Sequence, residues 1–172
     1  DLLAVVNEYG LWLYSTSSEL EPRLFSHLYA TSLSFSPDGS NIAVISCSNI
    51  DESVTNCDGT LSIFNIPSES WEQVAIFDHE ISNVMFSPSG EFVSFQSEEI
   101  GSWGLHVISL EPSYESFSII NEEYTTLVSD YTFSNDSKYI AIANGHTRLL
   151  EENFNGITIW SVENQSLVAS TA

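Results

Sequence analysis

The residues best placed for chemistry are the two cysteines, Cys47 and Cys57, which flank one polar loop. Because they are the only cysteines and border the same loop, we expect a disulfide between them and, with it, an extracellular or periplasmic location. Such a bridge adds about 2–3 kcal/mol in the loop-entropy model. The alternative is two free thiols in a reducing cytosol. The pair therefore bears on stability and compartment rather than on catalysis.

The same loop carries oxygen ligands that Ca²⁺ could use, at Asn49, Asp51, Glu52 and Asp58. The D-x-[DN]-x-[DN]-G order of a calcium loop is absent, so solvation is the plainer interpretation and we expect no metal. Zinc is not expected either, because the histidines have no H-x-H or H-E-x-x-H spacing. They lie in separate segments, at His27, His79, His106 and His146.

No group for covalent or acid–base catalysis can be assembled from local motifs. No G-x-S-x-G elbow surrounds a serine. Two pairs of adjacent glutamates, Glu98-Glu99 and Glu122-Glu123, would point to opposite faces of a strand and cannot form a glycosidase couple by themselves. We therefore expect neither an enzyme nor a cofactor.

Two surface features remain as candidates for modification or binding. Asn135 and Asn164 each begin an Asn-x-Ser tripeptide that matches the N-glycosylation pattern, although Asn135 also suits turn formation. The tryptophans could include a sugar-stacking platform. Core packing is the stronger interpretation for Trp160, and Trp12 is the better candidate for exposure. The other two are Trp71 and Trp103.

The charge restricts the partners of the chain. Its 24 acidic residues face only three basic ones, for a formal net charge of −21. Nucleic acid and anionic membranes should be repelled, and no apolar run is long enough to cross a bilayer. Basic proteins or cations are compatible partners. Because the acids are scattered, a solubilising surface is the plain alternative.

One short phrase occurs three times and indicates how these residues are positioned. Residues 35–39 read FSPDG, residues 86–90 read FSPSG, and residues 133–137 read FSNDS. The copies are 51 and 47 residues apart, a period typical of a repeated β-unit. A buried Phe ends a strand, and the polar residues after it form a tight turn. We expect turns at Asp38-Gly39, Ser89-Gly90 and Asp136-Ser137.

The segments around this phrase alternate like strands. A pattern of two aliphatic residues, a large residue and a small polar one occurs four times, at residues 11–15, 61–65, 105–109 and 157–161. Further strands follow the phrase, and others are expected at residues 71–77, 114–120 and 167–170. No helical period is present. The sequence therefore predicts an all-β chain with units of four antiparallel strands.

These units resemble WD40 or WD40-like β-propeller blades. The closest segment is residues 157–161 (ITIWS), where Ser161 stands in place of the usual Asp. Ser26-His27 and Asp78-His79 lie near the family's Gly-His position. No unit has both Gly-His and Trp-Asp, so the resemblance implies an incomplete Asp-His-Ser-Trp network. The FSPDG phrase is also typical of TolB-type and prolyl-oligopeptidase-type propellers.

The resemblance implies about four repeats in a single segment. Residues 1–18 would end one blade, residues 21–66, 71–110 and 114–162 would form three more, and residues 166–172 would begin the next. Propellers usually have four to eight blades. Since a four-bladed ring built from this chain would lack one strand, we expect it to be part of a larger ring. The alternative is that two chains join their open edges.

Propellers host unrelated activities, so function is less defined than fold. We expect a non-enzymatic, extracellular scaffold for protein–protein interaction, with no nucleic acid and no membrane insertion. Residues 1–6 and 167–170 should face the remainder of the same propeller or another subunit, including a second copy. The alternatives are the propeller domain of a larger hydrolase of the prolyl-oligopeptidase or TolB type and a carbohydrate- or calcium-dependent binding module.

Overall fold

A computed structural model describes residues 2–16, 21–25, 29–48, 58–99, 102–111, 114–119, 127–145 and 156–171. These ranges contain fifteen β-strands, and none of the described elements is a helix. A helix long and apolar enough to cross a membrane is accordingly not found among them. The expected all-β architecture is confirmed.

The first half of the chain contains two sheets. The first sheet has the order β1-β2-β3, with β1 at Leu2–Asn7, β2 at Gly10–Ser15 and β3 at Arg23–Leu24. The second sheet has the order β4-β5-β6-β7, with strands at Tyr29–Phe35, Asn41–Ser48, Asp58–Asn65 and Ser70–Ile76.

The second half repeats the four-stranded arrangement twice. The third sheet has the order β11-β10-β9-β8, with β8 to β11 at Ile81–Phe86, Phe92–Glu99, Ser102–Ser109 and Ser116–Ile119. The fourth sheet has the order β12-β13-β14-β15, with strands at Leu127–Phe133, Tyr139–Gly145, Ile157–Ser161 and Ser166–Thr171. The sheets are antiparallel, as expected.

The sheets are offset by one strand from the units expected from the sequence. Residues 71–77 were expected to open a unit, but β7 pairs with β6 and closes the second sheet, with Asn65 opposite Ser70. Likewise, β11 and β15 pair with the strands that precede them. In the turn at residues 66–69, Glu69 has φ 52°, a left-handed conformation that is typical of β-hairpin turns, and β7 returns antiparallel along β6.

The chain divides into two compact units, Asp1–Met85 and Phe86–Ala172, with the boundary inside β8. In the first unit, β2 packs against the second sheet, and the buried cluster consists of Leu11, Leu13, Ala30, Ile42, Val44 and Phe64. The Phe64 ring also contacts Phe25 and Trp71, at centroid distances of 5.0 and 4.8 Å.

In the second unit, hydrogen bonds join the third and fourth sheets. The buried Tyr131 hydroxyl donates to the Ser94 carbonyl oxygen at 3.1 Å. The Gln96 side-chain amide donates to the Val128 carbonyl oxygen at 2.9 Å. Because these strands are covered by neighbouring sheets, their polar groups must find partners inside the protein.

The repeated phrase forms the three expected turns, between β4 and β5, β8 and β9, and β12 and β13. Its first serine accepts a hydrogen bond from the N–H of the residue five positions later: Ser36 from Asn41 at 2.9 Å, Ser87 from Phe92 at 3.1 Å, and Ser134 from Tyr139 at 3.0 Å. The preceding Phe86 and Phe133 are buried, whereas Phe35 is half-buried. The repeat assignment is therefore confirmed.

Candidate functional site

An open cavity of about 280 Å³ lies in the second unit and carries four exposed carboxylates. We call it the glutamate cavity. Its acidic residues come from four places: the turn before β9, two positions between β10 and β11, and the turn between β14 and β15. Its walls also include two half-buried phenylalanines. The lining consists of Glu91, Phe92, Ser109, Glu111, Glu115, Phe117, Val162, Glu163 and Gln165.

Backbone hydrogen bonds hold three of these glutamates in place. The Leu110 N–H donates to the Glu91 carbonyl oxygen at 2.8 Å, which ties the end of β10 to the turn before β9. The Ser109 N–H donates to the Glu115 carbonyl oxygen at 2.8 Å. Glu111 lies between them, and its N–H donates to the Ser109 hydroxyl at 3.2 Å. The three carboxylates thus project from hydrogen-bonded backbone.

The fourth glutamate lies in the tight turn that links β14 to β15. The Val162 N–H donates to the Lys138 carbonyl oxygen at 2.9 Å, and the Asn164 N–H donates to the Ser161 hydroxyl at 3.1 Å. Gln165 completes the turn with φ 50°. Val162 is buried, which anchors the turn and leaves Glu163 at the surface.

The glutamate cavity was not anticipated from the sequence. Its glutamates are far apart along the chain, and no local motif links them. One signal was available: the segments Ser109-Leu110-Glu111 and Ser161-Val162-Glu163 follow the same repeated strand pattern. The repeat therefore places Glu111 and Glu163 at equivalent positions of neighbouring sheets.

A second cavity, of about 460 Å³, lies in the first unit beside the first copy of the turn. Leu2 and residues 35–39 line it. Its acidic group is Asp38, which accepts hydrogen bonds from the Ser36 hydroxyl at 2.5 Å and from the Ser40 N–H at 3.0 Å. These bonds lower the pKa of Asp38 to about 2. The Asp38 carboxylate is already used by hydrogen bonds within its own turn. The glutamate cavity is therefore the better candidate for a binding site.

Of the two cysteines expected to form a disulfide, the structure describes Cys47 alone. Cys47 is buried in β5, opposite Gly59 of β6, and Cys57 lies outside the described ranges. The Cys47–Cys57 bridge therefore stays a prediction. Of the oxygen ligands in this loop, Asp58 begins β6 opposite Ser48. The other three lie outside the described ranges, at Asn49, Asp51 and Glu52.

The two described histidines lie in separate environments. His79 lies 3.0 Å from Asp78 through its Nδ1 atom, and its carbonyl oxygen accepts the Gly59 N–H at 3.0 Å, consistent with a turn-anchoring role. His106 is buried in β10, with Nδ1 2.8 Å from the Ser118 hydroxyl. Within the described ranges, no three His, Cys, Asp or Glu side chains converge as metal ligands. His27 and His146 lie outside those ranges.

The remaining candidates are placed as follows. Asn135 and Asn164 are both exposed in turns, and their glycosylation stays a prediction. Trp12 pairs with Val5 and Leu24 in the first sheet and is half-buried, so it is neither fully exposed nor in the core. Of the three tryptophans with described side chains, Trp71 is the exposed one, and its indole N–H donates to the Phe25 carbonyl oxygen at 3.3 Å.

Trp160 is half-buried rather than fully in the core. The structure does not describe the side chains of several other candidate residues. Those of Trp103, Glu98 and Glu99 fall outside the described set although their backbones belong to strands, and Glu122 and Glu123 lie outside the described ranges altogether.

Solved structures with the same fold are β-propellers. The chain matches the tricorn protease over 100% of its own length and 16% of that chain, with a TM-score of 0.77 and 16% identity. It matches a putative TolB from Agrobacterium tumefaciens over 97% of its length and 59% of that chain, with a TM-score of 0.63 and 14% identity.

A third match is the β-propeller domain of the Trilobed protease from Pyrococcus furiosus, which has an open velcro topology. It covers 84% of this chain and 42% of that one, with a TM-score of 0.61 and 16% identity. The chain thus spans less than two thirds of each of these proteins. No protein-family model and no curated protein matches the chain, so WD40 remains a resemblance. The shared fold shows that the four sheets are β-propeller blades.

Proposed function

We propose that this chain is a non-catalytic β-propeller module that binds a basic segment of a protein partner at the glutamate cavity. The observation that carries the proposal is the arrangement of four carboxylates around aromatic walls, in a chain with only three basic residues. Propellers use such loop clusters as binding surfaces because the sheets beneath hold the loops in fixed positions.

The cavity suits a long organic cation better than a metal ion. The four carboxylates stand on separate connecting segments, and the described residues offer no converging ligand set. A Lys or Arg side chain could place its charge at the rim and its apolar stem against Phe92 and Phe117. A cation near an aromatic face gains about 0.5–1 kcal/mol at an exposed site.

The affinity of the glutamate cavity for a Lys- or Arg-containing segment should be modest and should fall as the salt concentration rises. Each exposed ion pair contributes about 0–1 kcal/mol, because water and salt screen it. Several together, with the net charge of −21, accelerate the encounter with a basic partner. A basic segment rather than a single residue is therefore the expected ligand.

The test is binding of a fluorescent Arg- and Lys-containing peptide, followed by anisotropy. The cavity variant carries Glu111→Gln and Glu163→Gln. Its matched control carries Glu8→Gln and Glu21→Gln, which remove the same charge from exposed positions in the first unit. We expect the cavity variant to bind about tenfold more weakly and the control less than about twofold more weakly. Equal losses in both variants would show that only overall charge attracts the peptide and would refute the proposed site.

A second candidate is that the chain forms part of the propeller of a larger protease. The observation that favours it is the match to the tricorn and Trilobed proteases, of which the chain covers 16% and 42%. Recovery of the complete gene sequence decides it. A catalytic domain in the same reading frame would support this candidate, and a chain of further propeller blades alone would count against it.

We propose an extracellular or periplasmic location on the basis of the predicted Cys47–Cys57 bridge. The test is alkylation of the purified protein with and without prior reduction, followed by mass spectrometry. A protein with the disulfide gains two alkyl groups only when it is reduced before alkylation. Two groups added without reduction would show free thiols and remove this argument for export.

A further inference from the structure

A blade junction in the first unit holds an arginine side chain between a carboxylate and an aromatic ring. Arg23 of β3 reaches Glu69, which lies in the turn before β7. Its Nη1 and Nη2 atoms donate to the two carboxylate oxygens of Glu69 at 2.8 and 3.0 Å. The guanidinium carbon also lies 4.7 Å from the centre of the Phe25 ring. The first and second sheets are thus joined by one bidentate, stacked arginine.

Strand register identifies the residue of the third sheet that corresponds to Arg23. Arg23 pairs with Leu13, the third residue of the repeated strand pattern in β2. Phe117 pairs with Val107, the third residue of the same pattern in β10. Phe117 therefore occupies in the third sheet the position that Arg23 occupies in the first.

The residue of the fourth sheet that corresponds to Glu69 is Gln165. Both are the last residue before the outer strand of their sheet, β7 or β15, and both have a left-handed backbone, with φ of 52° and 50°. The N–H at the start of each turn, from Ile66 or Val162, donates to a carbonyl oxygen in the turn between the first two strands of the same sheet. The two turns are therefore built alike.

Phe117 and Gln165 both line the glutamate cavity. The cavity thus lies at the place in the second unit where the first unit holds its arginine. An aromatic residue and a neutral amide replace the ion pair, while four glutamates surround the space. None of the described residues that line it is basic. Lys138 lies in a neighbouring turn outside the lining, and Arg148 lies outside the described ranges.

We propose that the glutamate cavity is selective for an arginine side chain of the partner over a lysine side chain. The preference rests on the function proposed above and specifies its ligand. A guanidinium is planar, donates two parallel hydrogen bonds to a carboxylate and stacks on aromatic rings, whereas an ammonium is a compact and strongly hydrated point charge. Phe92 and Phe117 supply the aromatic wall, and the glutamates supply the acceptors. The contacts of Arg23 show the geometry that such a ligand would adopt.

The test uses three fluorescent peptides of one length and one net charge, followed by anisotropy at about 0.15 M salt. Their basic residues are all arginine, all lysine or all asymmetric dimethylarginine. Methylation keeps the charge of arginine but blocks bidentate hydrogen bonding. We expect the arginine peptide to bind the wild-type chain about fivefold more tightly than either of the other two.

Two variants show whether this preference arises in the cavity. With Glu111→Gln and Glu163→Gln combined, the three peptides should bind equally weakly. With Phe117→Leu, which keeps an apolar side chain but removes the ring, the preference for arginine should fall below about twofold while lysine binding stays unchanged. The control variant that combines Glu8→Gln and Glu21→Gln should keep the full preference.

The outcomes separate the choice of ligand from the site itself. Equal binding of the arginine and lysine peptides to the wild-type chain, lost in the cavity variant, would overturn the selectivity and leave the cavity as a general site for basic segments. A preference for arginine that persists in the cavity variant would also overturn it, because the contact would then lie elsewhere. Failure of all three peptides to bind would refute the proposed function together with the selectivity.

Discussion

Asp38 is exposed, and its carboxylate accepts the hydrogen bonds that hold its turn together. It accepts hydrogen bonds from the Ser36 hydroxyl and from the N–H and hydroxyl of Ser40. Asp136 repeats the arrangement with the Ser134 hydroxyl at 2.6 Å and the Lys138 N–H at 3.2 Å. In the second copy, the shorter Ser89 stands in the same place and lies 3.1 Å from the Ser87 hydroxyl. One turn geometry is thus supported by two kinds of side chain.

These hydrogen bonds predict a pH-dependent stability. They lower the pKa of Asp38 from 3.8 to about 2 in the folded chain. Because the folded-state pKa is the lower one, the ionised carboxylate stabilises the fold above about pH 4, and this contribution disappears as the pH falls to about 2. Asp38→Asn should therefore lower the urea midpoint at neutral pH, with a difference from wild type that vanishes near pH 2.

The second copy of the turn supplies the control for this measurement. Ser89→Ala removes a hydrogen-bonding side chain at the equivalent position without removing an ionisable group. Its effect on the urea midpoint should not change over the same pH range. A pH-independent effect of Asp38→Asn would show that the Asp38 charge contributes nothing.

Gly39 permits a second residue-scale prediction, because its φ of 71° lies in the left-handed region. A Cβ there would meet no atom within 4 Å, so the cost of Gly39→Ala is backbone strain alone. That strain is about 1–2 kcal/mol for an alanine. Gly39→Asn should cost less, since Asn tolerates this conformation. Urea unfolding of the two variants measures the difference, and equal losses would contradict the strain argument.

At the scale of elements, Gly59 marks the closest approach of β6 to the chain that follows β7. Its N–H donates to the His79 carbonyl oxygen at 3.0 Å, and its carbonyl oxygen accepts the Phe77 N–H at 2.8 Å. A Cβ on Gly59 would overlap the Ile81 Cγ1 atom and lie 3.0 Å from the His79 carbonyl oxygen. Gly59 therefore allows β6 to lie directly against the backbone of residues 77–79 and the side chain of Ile81.

Gly59→Ala should destabilise the chain by about 1–3 kcal/mol, because backbone as well as side chain must move to admit the methyl group. The partner variant Ile81→Ala leaves a cavity and should cost about 2–5 kcal/mol alone. If the Gly59 methyl group enters that space, the double variant costs less than the sum of the two single variants. Chemical unfolding of all three variants gives the comparison, and strict additivity would count against the overlap.

Local patterns were sufficient for the strands and turns but not for strand pairing. The phrase at residues 35–39 specifies a turn through its own side chains, so it could be read from the sequence. The strand β7 is different, because short connections at residues 66–69 and 77–80 precede and follow it. Judged only by the length of these connections, β7 could have paired with either β6 or β8. The glutamate cavity was hidden for a similar reason, since folding rather than sequence proximity brings Glu91, Glu111, Glu115 and Glu163 together.

At the scale of the whole molecule, charge is the dominant global property. An exposed ion pair joins Arg23 to Glu69, with Nη1 to Oε1 at 2.8 Å. Both partners are largely exposed, so this pair contributes little to stability. With a net charge of −21, repulsion among carboxylates opposes the compact state, and the apolar contacts between sheets must overcome it.

This imbalance predicts that added salt stabilises the fold. At about 0.01 M ionic strength the screening length is about 30 Å, so carboxylates on distant blades repel one another, and at about 1 M it is about 3 Å. The thermal midpoint should rise steeply over the first few tenths molar of NaCl and then level off. Urea rather than guanidinium is the suitable denaturant for the parallel measurement, because guanidinium is itself a screening salt. A thermal midpoint that stays constant or falls over this range would show that the scattered acids lie too far apart to oppose folding.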